Sequence, residues 1–194
     1  MSSCTDCTKL APFGGGDDAC KKTKPKISDV RLTCCDLIVE AIAPSVDSIC
    51  PVGFIDDVVS LDPIGDPTPF VAVEIYNKDD ADETNTYAFD RPSDTGTDTW
   101  AITLGLKVLN PGNQCMLDSL KGQDVCIYYK IDGKTDDFAW RRVKGKLTAV
   151  DGGLLAGYLV TFDNIDPAEE DKPLFVNFST AAATTTALDA LTQF

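Results

Sequence analysis

Histidine is absent from all 194 residues of the chain. That absence removes Ser-His-Asp and Cys-His nucleophile pairs, imidazole metal ligands and imidazole general bases. Carboxylates, lysines and cysteines remain as the available chemistry. Long apolar runs are missing too: no stretch of eighteen apolar residues exists, and MSSCTDCTKL has no basic start followed by an apolar segment. The chain therefore reads as a soluble product of a cytoplasm, neither exported nor membrane-spanning. Positive charge is scarce, with 17 Lys and Arg against 31 Asp and Glu and a net charge of −14. The deficit lies in residues 36–97, which carry two basic residues against fourteen acidic ones. A protein that grips nucleic acid needs a basic face, so this balance argues against one. An acidic wall, in contrast, lets nucleic acid slide past without adhering.

What is present is enough for a core, since 43% of residues are hydrophobic. Residues 1–25 read as an irregular N-terminal arm with Gly14, Gly15 and Gly16, followed by a lysine-rich link. Residues 26–179 read as a single β domain, and residues 180–194 as a low-complexity C-terminal tail with a faint amphipathic end. Strand patterns fall at Ile27–Thr33, Leu37–Ile42, the segment GFIDDVVS, Phe70–Asn77 and from Thr99 to Val108. In that last segment Trp100, Ile102, Leu104, Leu106 and Val108 alternate with more polar positions. Asn110-Pro111 supplies an N-cap and a first-turn proline. Met116, Leu117 and Leu120 are spaced for one face of a short helix that Gly122 can close. Further strands follow at Val125–Ile131, around Val143–Ala149, at Tyr158–Phe162 and at Pro173–Phe178. Between Lys78 and Asp98 the chain is acidic and rich in turn residues, which predicts one long loop. The expected fold is mainly β: an antiparallel sandwich or barrel with one short helix, extended arms and loops.

Eight cysteines raise the question of metal. Cys4 and Cys7 form a CxxC pair, with Cys20 beyond it. Tetrahedral zinc normally takes two such pairs, and the second is missing: Cys34 and Cys35 are adjacent and point to opposite faces of a strand. Cys4, Cys7 and Cys20 are thus weak metal candidates, better read as thiols in an arm or in a disulfide from arm to body. Cys50, Cys115 and Cys126 sit beside apolar positions and read as small core hydrophobes. An even count of cysteines in a chain with no export signal is no argument for a disulfide framework. The pairs Asp56-Asp57, Asp79-Asp80 and Asp136-Asp137 miss the calcium-loop register and read as solvated. Gly14–Gly16 lack the Lys-Ser/Thr of a phosphate loop. The basic face of Arg142, Lys144 and Lys146 suits a salt-bridged contact with a neighbouring acidic surface. No cofactor and no catalytic residue is expected.

The stretch from Thr99 to Phe178 resembles tail tube and related tail proteins of tailed bacteriophages. A long strand leads into the helix segment NQCMLDSLKG, then into DVCIYYKIDG, AWRRVKGKLTAV, GLLAGYLVTFDN and DKPLFVNF. The arm CTDCTKL…DAC with its lysine-rich link into KISDVRLT is similar to the start of some such proteins. The resemblance implies a β-sandwich or barrel with a flanking helix and a homo-oligomer. Six copies would form a ring whose sheets line a channel, and the rings would stack into a tube. DNA would pass through that tube without being bound. It also implies a virion location, with assembly in the host bacterial cytoplasm and contacts to other tail proteins. A tail terminator, head–tail connector, baseplate or capsid decoration protein shares the same plan. A cysteine-held metal-binding module is the alternative outside the virion.

Overall fold

The computed structural model describes residues 27–43, 54–61, 69–75, 85–90, 99–106, 111–131, 139–154, 157–164 and 174–193. The chain is mainly β, one curled mixed sheet in the form of a half-barrel with two short helices. Strand β7 (Val125–Ile131) shows why the sheet can be covered on both sides. Val125, Ile127, Tyr129 and Ile131 belong to one apolar cluster, while Cys126 and Tyr128 belong to the other. Alternate residues of a strand point to opposite faces, so this segment is buried on both.

On one side of β7 lies β1 (Ile27–Cys34), antiparallel, and then β4 (Phe70–Ala72) and β11 (Thr192–Gln193). On the other lies β8 (Trp140–Leu154), then β10 (Leu174–Val176), β3 (Phe54–Ser60) and β2 (Ile38–Ala43). Two of these pairings, β10 with β3 and β11 with β4, are parallel. The expected antiparallel sheet is therefore mixed, because residues 174–193 return to lie beside strands laid down much earlier.

Strand β8 is a branch point. Its first residues pair with β7 along one edge and with β10 along the other, and from Gly145 onward it pairs with β9 (Gly157–Asn164). β9 continues into β6 (Thr99–Leu106) and β5 (Thr86–Asp90). Gly145 sits opposite both Val125 and Asn164. A Cβ added there would lie 2.6 Å from the Asp163 carbonyl oxygen and 2.6 Å from the Trp100 ring, so the junction closes only around glycine.

One core fills the face covered by α1 (Pro111–Leu120), where Leu117 and Leu120 pack with Ile102, Leu104, Leu106, Val160 and Phe162. The alternation expected from Trp100 to Leu106 is observed, all four apolar residues being buried. Gly122 adopts φ +75° just past α1, the left-handed conformation that ends a helix at little cost with glycine.

The second core holds Ile38, Ile55, Val58, Phe70, Tyr128, Trp140, Val176 and Leu188. Leu188 comes from α2 (Ala181–Ala190), a second helix in the segment read as a C-terminal tail. Its N-cap is Thr180, whose hydroxyl accepts from the Ala183 amide at 3.1 Å. Trp140 Nε1 donates to Thr185 Oγ1 at 2.9 Å, and buried Arg31 on β1 pairs with Asp189 at 2.9 Å and with Asp29. A faint amphipathic pattern thus becomes a docked helix because Leu188 and Thr184 find a closed seat. The single acidic loop expected over 78–98 is also interrupted, since 86–90 is strand β5 on β6. The N-terminal arm lies outside the described residues.

Candidate functional site

Strand β2 ends the path of the sheet and pairs only with β3, so its other backbone edge has no strand partner among the described residues. The pattern of this hairpin is inverted relative to a solvated edge. Ile38 and Glu40 face inward, whereas Val39 and Val59 stand directly opposite one another on the outside. Val59 is 54% exposed and Ile42 57% exposed, with Leu61 beside them. The register slips between Ala41 and Ile42, because Asp57 faces Ala41 while Ile55 faces Ile42. Asp56 is the extra residue of this bulge, and both aspartates reach solvent. The Asp57 carboxylate accepts from the Val58 amide at 2.8 Å, a local turn-like bond and no part of a paired-carboxylate site. Exposed, β-branched edges are surfaces that proteins normally blunt or cover.

Behind the hairpin the half-barrel brings its end back over its middle. Arg142 Nε donates to Glu40 Oε1 at 2.8 Å, and its terminal nitrogen pairs with Oε2. Tyr128 donates to the same Glu40 Oε1 at 2.6 Å. The Arg142 and Glu40 side chains are 4% and 9% exposed, so this is a buried, fork-shaped ion pair. Burial, followed by the adjacent Glu40 charge and hydrogen bond, pushes the Tyr128 hydroxyl well above the ordinary tyrosine range. Arg142 opposes that shift without cancelling it. Burial likewise raises neighbouring Tyr129 to about 12, against the pull of Arg141.

A disulfide joins Cys35 to Cys126 beside this ion pair, across a sequence separation of 91. Cys35 lies in the short 3-10 turn Cys35–Leu37 between β1 and β2, so the bond ties the base of the hairpin to β7. Closing a loop of that length stabilises the fold by about 4–5 kcal/mol in the chain-entropy account. Cys35, Ile38, Glu40, Ile42, Cys126, Arg142 and Lys144 together line a cleft of about 220 Å³.

Several expectations change here. Cys126 is a disulfide partner and not a plain core hydrophobe, and Cys115 is exposed on α1. Cys34 and Cys35 do face opposite ways, Cys34 packing against the α1-side core and Cys35 against the other. Burial, then the Asp36 charge, raises the Cys34 thiol. The basic face divides within one chain: Arg142 is satisfied by Glu40, and Lys146 pairs with Asp124 at 3.4 Å. No acidic neighbour is needed for either. Cys4, Cys7, Cys20, Cys50, Gly14–Gly16, Asp79-Asp80 and Asp136-Asp137 lie outside the described residues. Among the described residues, no group of three or more Cys, Asp or Glu is placed to hold a metal ion, and no helix is long and apolar enough to cross a membrane.

Sequence reading missed Glu40 and Cys35–Cys126. The available signal was a carboxylate at an inward position of β2, two residues after Ile38 and on the same face. A charge on a core face requires a partner. The chain was also compared with family models, curated proteins and solved structures, and no match was found to any of the three.

Proposed function

We propose that this chain is a structural subunit of a bacteriophage virion, the tail tube protein, which acts by self-assembly and catalyses no reaction. The observation that carries the reading is the β2–β3 hairpin: a backbone edge with no strand partner among the described residues, flanked by exposed Val39, Val59 and Leu61. A second copy seated there would pair with the edge amides and carbonyls of β2 and cover the apolar side chains. The resemblance of residues 99–178 to tail tube proteins supplies the kind of assembly, stacked rings that are most often hexameric. The net charge of −14 suits a conduit along which DNA moves without adhering.

Electron microscopy of the purified protein at high concentration tests this. Stacked rings or tubes support the tube reading, and a single closed ring points to a terminator or connector. A protein that stays monomeric at millimolar concentration overturns both.

A further inference from the structure

We propose that the cleft behind the β2–β3 hairpin is a thiol–disulfide exchange site, at which a small anionic thiol opens the Cys35–Cys126 bond and unlatches the hairpin. Three observations converge on it. The disulfide lines the cleft from both of its sulfur-bearing residues. Cys35 is half-buried and Cys126 fully buried, so an entering thiolate meets Cys35 first. Lys144 lines the same cleft and favours an anionic thiol over a neutral one, while the Arg142 charge is already balanced there by Glu40. Cys34 packs with the opposite core and is on the wrong face to act as an internal nucleophile.

The exchange balances with two equivalents of thiol. The first thiolate attacks Cys35 Sγ, the bond to Cys126 breaks, and Cys126 leaves as a thiolate that takes a proton from solvent. A second thiolate displaces Cys35 from the mixed disulfide, giving two protein thiols and the oxidised small-molecule disulfide.

What the bond holds is the base of the hairpin. The other ties include the Glu40 contacts to Arg142 and Tyr128, the hydrogen bond from the Cys35 amide to the Asp124 carbonyl at 2.8 Å, the two-residue register of β3 on β10 with the Asn177 amide donating to the Ile55 carbonyl at 2.9 Å, and the packing of Ile38, Ile55 and Val58 in the second core. In a reducing compartment the hairpin is loosened and free to adapt to a second copy; an oxidising medium locks it. That consequence for assembly rests on the reading of the hairpin as the contact between copies.

The test uses the oxidised full chain. Reduction is timed with 2-mercaptoethanesulfonate and with 2-mercaptoethanol, each normalised to its rate on a free small-molecule disulfide, for the native chain and for Lys144→Gln. The sulfonate is expected to be favoured about threefold in the native chain, with the preference falling towards one in the variant. Hydrogen exchange over residues 38–43 and 54–60 is expected to quicken about tenfold on reduction and to recover on reoxidation, with residues 99–106 unchanged. The double variant Cys35→Ala, Cys126→Val should show the same fast exchange without any reductant. A disulfide that resists both thiols in the folded protein, or equal exchange in the two redox states, overturns the proposal. Fast exchange on reduction in a protein that is monomeric in both states upholds the latch and removes the assembly reading.

Discussion

Glu40 on β2 and Arg142 on β8 form a two-pronged ion pair although β3 and β10 stand between their strands in the sheet. Only a strongly curled sheet allows that contact, and the pair is therefore a direct readout of the half-barrel. Removing one partner leaves a buried, uncompensated charge. Glu40→Ala is expected to destabilise the protein by about 3–5 kcal/mol in urea unfolding. Glu40→Leu combined with Arg142→Met should recover much of that loss, because two apolar side chains need no pairing. A double variant as unstable as the single one would show that the pair itself is not the source.

Alkaline pH should act through Tyr128 and Tyr129. Both hydroxyls are raised in the folded state, so folding keeps protons that the unfolded chain releases. Their contribution is complete below the ordinary tyrosine value of about 10 and is lost as pH rises from there towards the raised folded values. For Tyr129 that window runs from about 10 to about 12. Stability should fall by about 1.4 kcal/mol per pH unit for each such tyrosine within its window. Tyrosinate absorbance should show Tyr128 and Tyr129 ionising late, together with unfolding.

At the branch of the sheet, Gly145→Ala is expected to cost about 1–3 kcal/mol by overpacking, since the new methyl meets the Asp163 carbonyl and the Trp100 ring. Gly122→Ala, where φ is +75° but no atom lies within 4 Å, should cost about 1 kcal/mol through backbone strain alone. Thermal melts of the two variants separate crowding from conformation.

On the outer face of the hairpin, Val39→Lys and Val59→Lys should leave the fold and its melting temperature nearly unchanged, because these positions are 48% and 54% exposed. Assembly, measured by sedimentation, should weaken by at least about tenfold. Unchanged assembly would move the contact between copies away from β2–β3.

Serine at both Cys4 and Cys7 should leave the β domain folded and the purified protein without bound zinc or iron. Metal analysis and circular dichroism decide this, and collapse of the fold would restore a metal role for the arm.

The sequence made some of this legible. Trp100, Ile102, Leu104 and Leu106 alternate, and α1 carries its proline at the start and glycine past the end, so local period and capping chemistry sufficed. β5 was hidden because Thr86–Asp90 sits within an acidic, turn-rich stretch whose composition outweighs five residues of strand. α2 was nearly silent: its apolar face is little more than Leu188, and its order comes from Thr185 under Trp140 and Asp189 beside Arg31. The disulfide and the Glu40–Arg142 pair join positions 91 and 102 residues apart. Periodicity reports what a residue faces and is blind to which distant residue faces it.

The late strands carry one more consequence, which concerns timing. β10 slots between β8 and β3, and β11 covers β4, so residues 174–193 complete pairings with β3 and β4, which emerge from the ribosome far earlier. Until they arrive, β8, β3 and β4 each show an open ladder. Contacts this distant in sequence form slowly, and an unfinished chain with open ladders is prone to misassembly. A nascent chain stalled before residue 174 is therefore a better substrate for chaperones than for its own sisters, and chaperone depletion should trap it as aggregate before any ordered assembly begins.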